Sequence, residues 1–406
     1  MKSSGVDLIV LLLLGGLLAL GLPHITRQTE RRFWHPWINT GLLPLVIGMV
    51  VGPWLSEALR ESLDTILALA TATAGVLLGT QLRGGFLRRA GWPFLRRHSM
   101  AALALFHLAA VPSLLGLVFL TDLGWVNGVA WSGAIGALVV ATSQRPPFSA
   151  SSFDVNHRDV VLGHVAPAGW WNLIAILLAG AAMSLPLGRS SGLAIAVPGF
   201  AQNSLGATQL TMPLWCNPIL EVLVPMGMGL VLGWLAQRAR NREEAYLFLL
   251  AVLGVAGGTG LVLGSAPLFS GLLIGAVFVN VPQGRISIIE RALEGMEQPV
   301  SVGTGLLAGL ILGTLNADPV VWVLVGFAVV ARWVFRGALS PTTATLSQRP
   351  ERRMVPPGAS GVLVVAILVS MGAAGRPLAS AMAMGLVLLT VSHDLYELRY
   401  RRRALA

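Results

Sequence analysis

The sequence predicts an all-α polytopic membrane protein with about 13 transmembrane helices, and three observations carry that prediction. Of the 406 residues, 55% are hydrophobic and only 11% are charged, and the mean hydropathy is +0.74. Soluble domains carry roughly a quarter charged residues. Apolar runs of bilayer length, about 20 residues each, recur from end to end. The runs are continuous and not alternating, which favours helices over barrel strands. About 13 crossings would use roughly 260 residues and leave about 11 per loop or tail. No room remains for a water-soluble catalytic or nucleotide-binding domain.

In chain order the predicted spans are 6–23, 38–55, 62–82, 100–121, 126–144, 160–184, 215–237, 244–263, 266–281, 297–314, 318–338, 357–374 and 376–393. The first run, 7–22, has its stronger positive flank downstream (Arg27, Arg31, Arg32) and no small-residue cleavage site. It is read as a retained helix and not a signal peptide. Residues 185–213 are apolar but broken by Pro186, Pro198 and several Gly, and are read as a long loop.

The net charge of +10 does not call for a nucleic-acid partner, because the arginines sit between apolar runs. Gaps after odd-numbered spans hold Arg83, Arg88, Arg89, Arg96 and Arg97, then Arg145 and Arg158, then Arg238, Arg240 and Arg242. Later ones hold Arg285, Arg291, Arg349, Arg352 and Arg353, and the tail holds Arg399 and Arg401, Arg402 and Arg403. Gaps after even-numbered spans hold Arg60, Arg189 and Arg376, and the N-terminal tail has Lys2. One miscounted helix would destroy this segregation. It predicts a multi-pass plasma (inner) membrane protein with its N-terminus outside and its C-terminus cytoplasmic. The single cysteine, Cys216, excludes an internal disulfide and a cysteine metal cluster.

The second and ninth spans share a motif. Pro44-Leu45 is followed by Gly48 and Gly52, and Pro267-Leu268 by Gly271 and Gly275. Both read P-L-x-x-G-x-x-x-G, seven spans apart, and an odd offset reverses membrane direction. The expected organisation is one transporter domain of inverted repeats, about 6–184 and 244–393, joined by a linker helix at 215–237. Close helix packing alone also explains a G-x-x-x-G.

Several segments resemble the cation:proton antiporter superfamily, the sodium/proton exchanger-like membrane proteins. They include Gly48-x-x-x-Gly52-Pro53, residues 77–83, and Ala141-Thr142-Ser143. They continue with Gly264-Ser265 before Gly271, Gly275 and Asn280, residues 290–305, and Arg332. The resemblance spans about 300 residues and is similar to the family in order and spacing. It implies the sodium/proton antiporter fold with two broken helices, a homodimer, and alternating access in which a core domain moves against a panel domain.

The chain departs from the family where those antiporters do their chemistry. The family carries Asn-Asp or Asp-Asp midway along the sixth helix. Here the stretch is Gly169-Trp170-Trp171-Asn172-Leu173-Ile174, and no Asp or Glu lies between Asp159 and Glu221. A carboxylate either ligates a hard cation or holds a proton. Asn172 offers a carbonyl but exchanges no proton. Trp170 and Trp171, about ten residues into the span and so roughly 15 Å deep, either fill the volume a hydrated cation would use, the more economical reading, or stack over a cation through their π-faces.

The candidate ion or substrate pathway is Thr142, Ser143, Arg145, Trp171, Asn172, Arg332 and Ser360. Arg145 and Pro146-Pro147 mark the first helix break, and the segment from Pro356-Pro357 to Ser360 marks the second. Without a partner Asp, Arg332 must find helix carbonyls, an anion or the cytoplasmic interface. His164, two turns before Trp171 on the same face, is a proton-relay candidate with an interfacial alternative. His107 lies deeper but faces an unknown direction. Glu221 is either an interfacial carboxylate or, if buried, a functional candidate.

No H-E-x-x-H, intramembrane Ser/His/Asp set, phosphate loop or metal-ligand cluster is present in the sequence, so the chain is read as neither an enzyme nor a cofactor protein. The function expected is secondary-active transport of a monovalent cation or small solute, with proton coupling altered or lost. The partners expected are the lipid bilayer, the transported ion, proton or solute, and a second copy of the chain. Two alternatives stay open: an anion transporter using Arg145 and Arg332, and a non-transporting scaffold or sensor subunit.

Overall fold

The computed structural model describes residues 37, 40–82, 91–120, 125–141, 158–184, 216–236, 242–263, 266–281, 286–313, 319–339, 358–370 and 375–405. All regular structure among them is helical. The helices are α1 (Leu42–Val51, followed by a 3-10 turn, Gly52–Trp54), α2 (Glu57–Thr80), α3 (Trp92–Leu120), α4 (Trp125–Val140), α5 (Arg158–Ser184) and α6 (Cys216–Ala236). They continue as α7 (Arg242–Leu263), α8 (Pro267–Asn280), α9 (Ile286–Leu312), α10 (Pro319–Leu339), α11 (Gly358–Ser370) and α12 (Arg376–Leu405). Each predicted span from the second to the thirteenth is occupied by one of these twelve helices. The first span and the loop at 185–213 lie outside the described residues.

Three of the helices are both long and apolar enough to cross a membrane, over Ser62–Thr80, Leu95–Leu120 and Ile219–Ala236. The others carry apolar stretches of 10–17 residues. Three helices exceed their predicted spans by eight residues or more. The third starts at Trp92, the ninth at Ile286, and the twelfth runs on to Leu405. Apolarity marks what a helix buries, not where its backbone hydrogen bonds begin. The added stretches are rich in Arg, Glu, Leu and Ala, which favour helix without being apolar throughout.

Two crossings set the framework, and both rest on glycine. A Cβ on Gly48 would fall against the Leu306 carbonyl and lie 2.8 Å from the Leu310 nitrogen, so α1 and α9 touch backbone to backbone. Gly271 meets the Ala72 carbonyl, with the Val76 nitrogen 3.1 Å away, joining α8 to α2 in the same manner. The contacts correspond residue by residue. Gly52 meets the Leu310 carbonyl as Gly275 meets that of Val76. Gly309 meets the Leu45 carbonyl as Gly75 meets that of Leu268. Only a hydrogen in place of a side chain permits such approach. In each pair residue numbers rise together, so the two helices run parallel. The sequence at these contacts repeats as well, with A-G-V-L-L-G-T at 74–80 and A-G-L-I-L-G-T at 308–314.

Between these crossings lies α11. Every residue from 360 to 369 is buried, and the helix packs against α1, α2, α4, α5, α9 and α12. A helix that is apolar on all sides belongs inside a bundle. Its sequence also has a copy. G-A-S-G-V-L-V-V-A at 358–366 matches G-A-I-G-A-L-V-V-A at 133–141, the end of α4.

At one end of the bundle, Arg376 at the start of α12 pairs with Asp64 near the start of α2, Nη2 to Oδ2 at 3.3 Å. The opposite end of α2 is held by Asn280, whose side-chain amide donates to the Leu82 carbonyl at 2.7 Å.

Candidate functional site

The short helix α4 ends at Val140, and the last carbonyls of a helix lack the donors that its interior supplies. They also carry the negative end of the helix dipole. Arg332, on α10, answers both. Its side chain is 2% exposed, and Nη1 donates to the carbonyls of Leu138 at 2.8 Å and Val139 at 2.9 Å. Of the three destinations open to Arg332 in the sequence, helix carbonyls are where this nitrogen goes.

The Trp-Asn pair sits midway along α5, which packs against α3, α4, α8 and α11. Trp171 is 5% exposed and Asn172 is 2% exposed. The Trp171 indole nitrogen has no acceptor among the described residues, whereas Trp170 donates to the Ser99 hydroxyl at 2.9 Å. Trp171 is thus buried next to Asn172 without a hydrogen bond from its indole nitrogen. A histidine that sequence reasoning missed stands against it. His98, on α3, is buried, and its ring lies 6.5 Å from that of Trp171 in an edge-on arrangement. It falls before the predicted span 100–121, in what reads as a basic loop. The start of α3 at Trp92 brings it into the bundle.

Of the other sequence candidates, Ser360 is fully buried in the third position of α11. His164 belongs to α5, but its side chain lies outside the described residues, as do Thr142, Ser143 and Arg145. His107 faces outward, with Nδ1 2.8 Å from the Leu103 carbonyl of its own helix. Glu221 on α6 is buried and is the one buried carboxylate among the described side chains. It lies on the face of α6 that includes Gly229, which packs against Ile274 of α8, away from α4 and α11. No group of three or more His, Cys, Asp or Glu able to hold a metal occurs among the described residues.

Two groups of side chains thus flank α4 and α5: a guanidinium on the end of α4, and an amide, two indoles and an imidazole about the middle of α5. A scan against protein-family models and a search of curated proteins gave no match to the chain.

Proposed function

We propose that the chain is a secondary-active transporter of the cation:proton antiporter type, moving a monovalent cation or small solute by alternating access. One observation carries the reading: three helix segments recur in the second half of the chain, and their contacts recur with them. The segments of α1, α2 and α4 reappear in α8, α9 and α11, and the glycine crossing of α1 with α9 has its counterpart in that of α8 with α2. Exchange of partners between halves is what a twofold relation of two repeats produces. With thirteen crossings, a seven-helix offset makes the halves inverted, the common construction of such transporters.

The lengths of α4 and α11 fit two broken helices. At 1.5 Å per residue, 16 and 13 residues span about 24 and 20 Å, less than the ~30 Å hydrocarbon core. Each then has one end inside the membrane, where an ion or polar solute meets a helix terminus. Coupling departs from the family's. Asn172 cannot exchange a proton, and Arg332 rests on helix carbonyls, so the transport step proceeds without the carboxylate-bound proton. The N-terminus outside, the C-terminus in the cytoplasm and a homodimer in the plasma membrane belong to the same reading.

The test is flux into proteoliposomes after a pH jump, with sodium, potassium, lithium and chloride supplied in turn. Dissipation of one solute gradient is expected, with little proton movement. Trp171→Asn combined with Asn172→Asp is expected to add sodium- or potassium-linked proton flux. If the native chain dissipates no gradient while that double variant gains one, the scaffold reading replaces this one.

A further inference from the structure

Three hydroxyls are fully buried and have no hydrogen-bond partner among the described residues: Ser113 on α3, and the two that fall in or beside the repeated segments, Ser360 on α11 and Thr304 on α9. An unmade hydrogen bond at a buried hydroxyl is costly, and its persistence needs a reason. The repeated segments sharpen the question. In the 133–141 copy the place of Ser360 is taken by Ile135, and in the α2 counterpart of α9 the place of Thr304 is taken by Ala70. The architecture is built with apolar side chains at both positions, so packing does not demand either hydroxyl.

The two lie on adjacent helices, since α9 packs against α11. Their depths agree. Gly52 meets Gly313 just past the end of α9, and α2 begins five residues after Gly52. The Arg376–Asp64 pair then brings the start of α12, and with it the end of α11, towards the same end of the bundle. At the helical rise, Thr304 lies about 12 Å along α9 from its end and Ser360 about 15 Å along α11 from its end. The Cα–Cβ bonds of a helix tilt towards its N-terminus, so the side chain of Ser360, in the third position, leans towards the start of α11. There the first backbone N–H groups lack helical acceptors and present the positive end of the dipole.

We infer that Ser360 and Thr304, with the first N–H groups of α11, form a binding site for a small monovalent anion such as chloride. Every group offered is a hydrogen-bond donor. Arg332 adds positive charge to the same bundle, and the buried carboxylate Glu221 lies on α6, which packs against α7 and α8. A cation would meet the wrong end of the helix. The inference rests on the transport reading only in naming what is carried, because binding requires no transport.

The experiment is a titration of the purified full-length protein with chloride, in detergent and chloride-free gluconate buffer, followed by line broadening in the chloride NMR signal. Saturable binding is expected. Ser360→Ala and Thr304→Val are each expected to weaken it by about tenfold or more, the worth of one hydrogen bond to a charged group. Ser360→Thr retains a hydroxyl and is expected to keep binding near the native level. Ser380→Ala removes a hydroxyl that donates to the Arg376 carbonyl and is expected to leave it unchanged. Absence of saturable binding in the native protein would overturn the inference. So would equal binding in the two hydroxyl-deleted variants, or saturable sodium binding that they abolish. Chloride binding without flux in vesicles would leave this site standing while the transport reading falls.

Discussion

The end of α4 and the start of α11 carry nearly the same nine residues, yet they do different things. At 133–141 the segment closes a helix, so the carbonyls of Leu138 and Val139 are open and a buried guanidinium covers them. At 358–366 it opens a helix, so the carbonyls of Leu363 and Val364 lie within α11 and the exposed groups are N–H donors. One half thus presents a negative helix end neutralised by Arg332. The other presents a positive end with a hydroxyl beside it. A repeated sequence fixes the packing; where each helix stops fixes the chemistry.

That comparison can be broken most severely at the glycine crossings, which should be equivalent. Gly309→Leu and Gly75→Leu each drive a side chain into a facing carbonyl, and each is expected to cost about 3 kcal/mol or more, the upper range of overpacking. Loss of monodisperse protein in size-exclusion chromatography, equal for the two, is the expected result. A tolerated leucine on one side alone would show that the crossings are not counterparts.

Exchanging the residue that distinguishes the two copies should have unequal effects. Ile135 is fully buried, so Ile135→Ser removes apolar volume and buries a hydroxyl, at about 3 kcal/mol. Ser360→Ala removes a hydroxyl that makes no protein hydrogen bond and is expected to change stability by less than about 1 kcal/mol. Thermal unfolding of the two variants in detergent checks the contrast.

Arg332→Met keeps the bulk of the side chain and leaves two carbonyls without their donor. A loss of about 2 kcal/mol is expected, with faster amide exchange confined to the end of α4. The exchange rate at the start of α11 is expected to stay unchanged. The smallest effect belongs to the Asp64–Arg376 pair, whose side chains are 35% and 38% exposed. Asp64→Asn is expected to cost less than about 1 kcal/mol, and less still at high salt.

Much of the helical content was legible in the apolar runs, because a segment that must bury itself on most sides leaves a long signal. Helix starts were less legible at α3 and α9, where charged residues follow in the second turn, Arg96 and Arg97 in one and Glu290 and Arg291 in the other. The motif of Gly48 and Gly52 pointed to close packing, but a motif names one surface and not its partner. That α1 meets α9, and not its own sequence neighbour, depends on contacts more than 200 residues apart. The second repeat, A-G-V-L-L-G-T against A-G-L-I-L-G-T, was present in the sequence and acquires meaning once the facing carbonyls are seen. Arg332 stood out as a charge in an apolar run, while its carbonyl partners on α4 did not, since backbone groups carry no sequence label. His98 was hidden by its arginine neighbours.

At the two crossings peptide groups meet with no side chain between them. Such joints have no rotamers to freeze when they assemble and no soft methylenes to yield when they are pushed. The four helices involved therefore act as two splints, and any rearrangement of the bundle must slide or tilt each splint whole, leaving the bending to the parts that are joined through larger side chains.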